Sequence, residues 1–260
     1  MEITALPAFS DNYIWALRRA DYVVVVDPGE AEPVLEYLRQ SGGKLCAILI
    51  THRHADHIGG VSVLLEHAKV PVYGPAAEQD KITMLTHALR DGERVKIAEL
   101  GCEFDVLDVG GHTLGHIAYF GTVDDENLLF CGDTLFAGGC GRIFEGTPAQ
   151  MYASLQKLAA LPADTRVYCA HEYTQSNLKF ALAVEPGNAA LQQRNIQVAR
   201  LRAADQSSVP STLAEELATN PFLRSNAPEV IAAAQQFSQD EHLQDPVAVF
   251  TAIRAWKNVF

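Results

Sequence analysis

The chain has 260 residues, 48% hydrophobic and 20% charged, which excludes a disordered or fibrous protein and allows one large domain or a domain with an appendage. Twenty basic residues against 32 acidic ones give a formal charge of -12, which argues against a broad nucleic-acid surface and leaves room only for a local basic pocket. The opening MEITALPAFSDNYIW has neither a basic leader nor an apolar stretch, and no apolar run is long enough to span a bilayer, so neither export nor membrane insertion is expected. Cys46, Cys102, Cys131, Cys140 and Cys169 are odd in number, widely spaced and without CxxC, which fits a reduced cytoplasm, with most of them buried as small apolar residues.

Taken in order, YVVVV (22–26), LCAILI (45–50), FDVLDV (104–109), HIAYF (116–120), LLFC (128–131) and VYC (167–169) read as strands. Helical patterns lie between some of them: PVLEYLRQ, ended by Gly42-Gly43, and TPAQMYASLQKLAAL, with Thr147 as cap and Pro148 in the first turn. This is an α/β arrangement. After Tyr173 the pattern turns helical, with NLKFALAV, then NAALQQRNIQVARLRAA, a capping box from Thr212 to Glu215, and a segment opened by Asp245-Pro246. Charge marks the same boundary: residues 1–173 hold 13 basic and 24 acidic groups, residues 174–260 hold 7 and 8. The expected organisation is a catalytic unit over 1–173 and a helical unit over 174–260.

The stretch AILITHRHADHIGG sets His52, His54, Asp56 and His57 directly after a strand. With 9 histidines in the chain, composition alone yields that pattern by chance roughly 6 times in 10,000. Imidazole and carboxylate are ligands for zinc, iron or manganese, and residues two apart in an extended turn can converge on one ion while the next pair faces another. His112, Asp133 and His171 each follow a strand-like run. Alone, each reads as a loop histidine or a capping aspartate. If their strands run in matching directions, all seven residues meet at one rim of the sheet. His116 reads as a supporting or packing histidine, and His67, His87 and His242 as surface residues. Trp15 and Trp256 read as packing anchors, and Gly138, Gly139 and Gly141 as a tight turn without the spacing of a phosphate loop.

THRHADH, GGHTLGH, FCGDTLF and CAHEYT resemble the metal motifs of the metallo-β-lactamase superfamily. Together with SDNYIW, GCGR followed by EG, VEPGN and the closing IRAWKNVF, the whole chain resembles the glyoxalase II (hydroxyacylglutathione hydrolase) family. The resemblance implies an αββα sandwich followed by a helical domain that contributes to the substrate pocket. It implies two divalent metal ions, with zinc in first place and iron or manganese also served: His52, His54 and His112 on the first, Asp56, His57 and His171 on the second, and Asp133 bridging. The implied reaction is hydrolysis of an S-(2-hydroxyacyl)glutathione, typically S-D-lactoylglutathione, the second step of methylglyoxal detoxification. A hydroxide shared by the metals attacks the thioester carbonyl, and Asp56 and Asp133 serve the chemistry directly. A thiol leaving group, with a pKa near 8.5, needs little help from an acid.

Glutathione carries two carboxylates, and the resemblance assigns its pocket to Arg142, Phe144, Tyr173, Arg254 and Lys257. Relatives often carry Lys and Tyr where this chain has Arg142 and Phe144, which changes the geometry of the basic contact and removes a hydroxyl. Within the superfamily a persulfide dioxygenase, a lactonase and a nuclease compete with this reading. A short helical tail would favour the first, the second has no need of Arg254 and Lys257, and the acidic charge opposes the third. A non-catalytic metal-binding module is the rival of another class. A cytoplasmic monomer is expected, with a small-molecule substrate and neither nucleic acid nor membrane as partner.

Overall fold

The computed structural model describes all 260 residues. A first six-stranded sheet runs in the order β1 (Glu2–Ala8), β2 (Asn12–Arg19), β3 (Tyr22–Val26), β4 (Lys44–Leu49), β5 (Val72–Pro75) and β6 (His87–Leu89), antiparallel through β3 and parallel from there. The second contains β7 (Arg94–Ile97), β8 (Cys102–Asp108), β9 (Ile117–Val123), β10 (Glu126–Gly132), β13 (Arg166–Cys169) and β14 (Ser211–Thr212). All its pairs are antiparallel except β10 with β13. A small hairpin, β11 (Leu135–Phe136) with β12 (Gly139–Cys140), lies between β10 and β13 in the chain.

Period-two alternation explains the layering. Trp15 and Leu17 of β2 and Val24 and Val26 of β3 join the large core between the sheets, with Phe104, Val106, Tyr119 and Phe130 from the second sheet. Their neighbours Ile14, Ala16, Val23 and Val25 face the other way, into a separate core with Val34 and Leu35 of α1 (Glu32–Ser41) and Val61 and Leu64 of α3 (Val61–His67). Strands buried on both faces read as continuous apolar runs, as YVVVV does. Helix α4 (Pro148–Ala159) buries Met151, Leu155 and Leu158 in the large core, and Thr147 caps it in a full capping box with Gln150. The architecture is the αββα sandwich.

From Thr174 onward the chain is helical apart from β14, with α5 (Thr174–Val184), α6 (Ala189–Ala203), α7 (Leu213–Thr219), α8 (Pro228–Ser238) and α9 (Pro246–Val259). Thr212 caps α7 through the Glu215 amide, and Asp245 caps α9. No helix is long and apolar enough to cross a membrane. The five cysteines are free, and all but Cys46 are buried.

Two devices tie this segment to the sandwich. Strand β14 adds to the edge of the second sheet against β13. The buried Glu216 of α7 pairs with the buried Arg194 of α6, and its Oε2 accepts the Gly138 amide at 2.8 Å and Asn220 Nδ2 at 3.0 Å. Asn220 also donates to the Phe136 and Gly139 carbonyls, so the hairpin turn hangs from the helical segment. Removing one partner of a buried ion pair strands the other. Glu216→Ala should therefore cost about 3–5 kcal/mol in urea unfolding, and the double replacement Arg194→Met with Glu216→Leu should cost less than the single one.

Candidate metal centre

Strands β8, β10 and β13 run in the same direction, because β9 is antiparallel to both its neighbours and β13 is parallel to β10. Their carboxyl ends deliver His112, Asp133 and His171 to one rim. The end of β4 meets them there with His52 and His54, and α2 (Ala55–Ile58) places Asp56 and His57 in its first turn. Gly132 makes the approach between the sheets close enough. It sits at φ +48, and a Cβ on it would lie 2.3 Å from Thr51 Oγ1 and 2.8 Å from the His116 ring.

All seven predicted ligand residues converge, in two sets. His54 Nδ1 lies 3.0 Å from His52 Nε2 and 3.0 Å from His112 Nε2. His57 Nε2 and His171 Nε2 each lie 3.5 Å from Asp56 Oδ2. Asp133 turns one oxygen to each set: Oδ2 is 3.3 Å from His112 Nε2, while Oδ1 is 3.4 Å from His57 Nε2 and 3.3 Å from His171 Nε2. The buried His57 nitrogens and Asp133 Oδ1 have no hydrogen-bond partner. Buried polar atoms are normally paired. Imidazole and carboxylate donors crowded this closely and left unbonded suit two divalent cations.

All of the proposed ligands but His54 are aimed by a further contact. His112 Nδ1 donates to the Arg142 carbonyl at 2.8 Å and His171 Nδ1 to Asp11 Oδ1 at 2.8 Å, so both present Nε2 to the centre. Asn12 Nδ2 donates to Asp56 Oδ2 at 3.0 Å. His116, fully buried, accepts the Asp133 amide at 3.1 Å and stacks on His52. Asp27, held at φ +51, accepts the Thr51 amide and hydroxyl, both at 2.7 Å, and lies 3.1 Å from His57 Nδ1. Sequence reasoning passed over Asp11, Asn12 and Asp27. Asp27 carried a usable signal, since it follows YVVVV as Asp133 follows LLFC. Asp11 and Asn12 lie in the SDNYIW stretch that the family resemblance includes, but nothing local to them assigns a role, because they sit at a hairpin turn whose partners are distant. His67, His87 and His242 are exposed.

Electrostatics follows the same division. Burial, reinforced by neighbouring imidazoles, holds His52, His54, His112 and His116 below the usual histidine range. Burial would also lower His57 and His171, but carboxylates outweigh it: Asp133 and Asp27 raise His57, and Asp133 and Asp56 push His171 up to about 10. Hydrogen bonds to His171 and His57 hold Asp56 far below the usual carboxylate range. Asp133 is lowered too, its burial offset by His57 and His171.

The five residues expected to bind substrate fall into two groups. Phe144, 60% exposed, sets its ring 5.2 Å from His112 and 5.8 Å from His54, with the Arg142 guanidinium 5.9 Å from its centroid. Tyr173 stacks on His171 at 4.6 Å, and burial followed by the charges of Asp11, Asp133 and Asp56 raises its hydroxyl. Arg254 and Lys257 of α9 bond to none of the seven. Arg254 is buried, donates to the Cys140 carbonyl at 3.0 Å and leaves its Nε unpartnered. Lys257 donates to the Ser176 carbonyl at 3.3 Å and lies 5.2 Å from the Phe180 centroid. Burial and the charge of Arg254 push its amine down to about 8.

A family model described as the metallo-beta-lactamase superfamily matches residues 9–171, and one described as the hydroxyacylglutathione hydrolase C-terminus matches residues 172–260. A hydroxyacylglutathione hydrolase of Pseudomonas aeruginosa (strain LESB58) is 54% identical, with 100% of each chain covered. One from Nitrosomonas europaea is 51% identical over 97% of this chain and 94% of its own. Among solved structures, that of TTHA1623 in a di-iron-bound form is 29% identical with a TM-score of 0.53, covering 66% of this chain and 92% of that one.

The crowding at Gly132 allows a direct check. Gly132→Ala should cost about 1–3 kcal/mol in denaturant unfolding, since the added methyl group pushes Thr51 and His116 apart. It should also lower the amount of divalent metal that co-purifies, measured by elemental analysis.

Proposed function

The chain belongs to the hydroxyacylglutathione hydrolase family of the metallo-beta-lactamase superfamily, and we propose on that footing that it hydrolyses S-(2-hydroxyacyl)glutathione thioesters. S-D-lactoylglutathione is the proposed substrate, with glutathione and D-lactate as products. The observation that carries the reading is the Asp133 carboxylate, one oxygen facing each of two ligand sets. His52, His54 and His112 would hold one ion, Asp56, His57 and His171 the other, and Asp133 both. Two such ions, zinc in this proposal, would supply a water activated at neutral pH and a Lewis acid for the thioester oxygen.

The remaining work falls to the chain itself. Asp56, with its side chain 39% exposed, is open to the mouth; accepting the attacking water's proton is secondary to its proposed ligand role. Asp11 and the Arg142 carbonyl keep His171 and His112 in the tautomer that faces inward. The glutathione thiolate, with an ordinary pKa near 8.5, leaves without a general acid. Phe144 and Tyr173 flank the opening, and Arg142, Arg254 and Lys257 are the proposed cations for the glutathione carboxylates. Residues 1–173 would then form the catalytic unit and 174–260 the substrate-binding one. Five free cysteines support a cytoplasmic setting, and a monomer is the proposed state.

Purified protein should hydrolyse S-D-lactoylglutathione, followed as loss of thioester absorbance, with about two metals per chain and full loss of activity in chelator. A protein holding both metals and inert towards the thioester would overturn the reading. Asp133→Ala should abolish turnover and lower metal content, and normal hydrolysis by that variant would exclude its bridging role. Lys257 is charged below about 8 and neutral above it. KM for the glutathione thioester should therefore rise as pH passes that value while kcat stays level, and Lys257→Arg, charged throughout, should flatten the rise.

A further inference from the structure

His52, His54 and His112 bring three imidazole nitrogens together, each within 3.0 Å of a neighbour. Converging lone pairs repel one another. In the second set, Asp56 and Asp133 lie between His57 and His171 and offset the crowding. The first set has one carboxylate, Asp133, whose Oδ2 lies 3.3 Å from His112 Nε2. Its geometry has to be imposed from outside the set.

Three charged residues with no role in the reading above are placed to do this. Arg53, between His52 and His54 in the chain, pairs with Glu145. The other oxygen of Glu145 accepts the Leu114 amide at 3.0 Å. The next amide, that of Gly115, goes to Glu78 Oε1 at 3.2 Å. Glu78 is buried, and Gly115 packs directly on it, since a Cβ there would lie 2.5 Å from Glu78 Cγ. Its carboxyl also lies within electrostatic reach of Arg53. Two consecutive amides of the loop that carries His112 are thus taken by carboxylates from 31 residues ahead and 37 behind, both facing the residue between His52 and His54. Backbone bonds from Phe144 to His112 and from Gly146 to Gly111 extend the same clasp.

We propose that Glu78 and Glu145 are positioning residues that hold the His112 loop against the His52–His54 loop and so set the affinity of the first metal position without setting that of the second. The proposal rests on the two-position reading given above. Outer contacts of this kind alter metal affinity by roughly 10–100-fold.

The test is titration of metal-stripped protein with zinc against a chromophoric chelator that resolves two dissociation constants. Glu145→Ala should weaken one constant by about 10–100-fold and leave the other within about threefold. Glu145→Gln, which keeps an acceptor for Leu114, should fall between it and the wild type, and Glu78→Gln should weaken the same constant. Asp11→Asn, which touches only His171 of the second set, should move the other constant. Glu103→Ala, which removes an exposed partner of Arg94, should move neither. Constants unchanged in both Glu145 variants, both weakened equally, or Asp11→Asn acting on the same constant would each overturn the proposal. Thermal unfolding of each stripped variant separates misfolding from lost affinity, and if Glu78→Gln does not fold, the partly exposed Glu145 decides alone. A wild-type protein that binds fewer than two zinc ions would instead remove the two-position reading.

Discussion

Five imidazoles and two carboxylates brought within a few ångströms of one another are only partly offset by their own attractions, and the fold is organised around imposing that arrangement. Asp133 is the pivot, because its two oxygens serve two sets at once and must be placed with little freedom. Its position is fixed on both sides. Gly132 lets the strand end press against Thr51, and His116 takes the Asp133 amide while stacking on His52. The histidine without a place among the seven thus spans the two sheets.

Rigidity at the rim derives from the cores beneath it. Strands β2, β3 and β4 are covered on both faces, so their ends cannot shift without disturbing two apolar layers. The supporting groups come from distant parts of the chain: Asp11 from the first hairpin, Asp27 from the end of β3 and the Arg142 carbonyl from the loop before α4. The site is better described as a junction of loops, four bearing the proposed ligands and three the supporting groups, than as a pocket in one element.

Much of this was legible in the sequence, for physical reasons. Doubly buried strands such as YVVVV and LLFC read as unbroken apolar runs, and ligand types directly after them mark a sheet rim. Thr147, Thr212 and Asp245 mark helix starts because an N-cap is a local interaction. What escaped depends on partners far away. The alternation of β1 is blurred by partial exposure and β14 has two residues, so neither is visible without the strand it pairs with. Arg53, Glu78 and Glu145 look like ordinary surface charges until the chain is folded, since their purpose lies in separations of more than 30 residues. Arg254 and Lys257 share one helix, yet one is buried against the hairpin turn and the other reaches toward α5, a distinction their spacing could not reveal.

The addition of β14 to the edge of the second sheet has a consequence for the order in which the molecule comes into being. During synthesis the strands that carry all seven ligand residues emerge first, yet β13 must wait about 40 residues for the strand that covers its open edge, and longer for the helix that fastens the hairpin turn. Until then an apolar strand keeps an open edge beside a rim whose seven proposed ligand residues have all emerged. The late helical segment therefore acts as a closing seam, completing the sheet only after every group at the rim has left the ribosome.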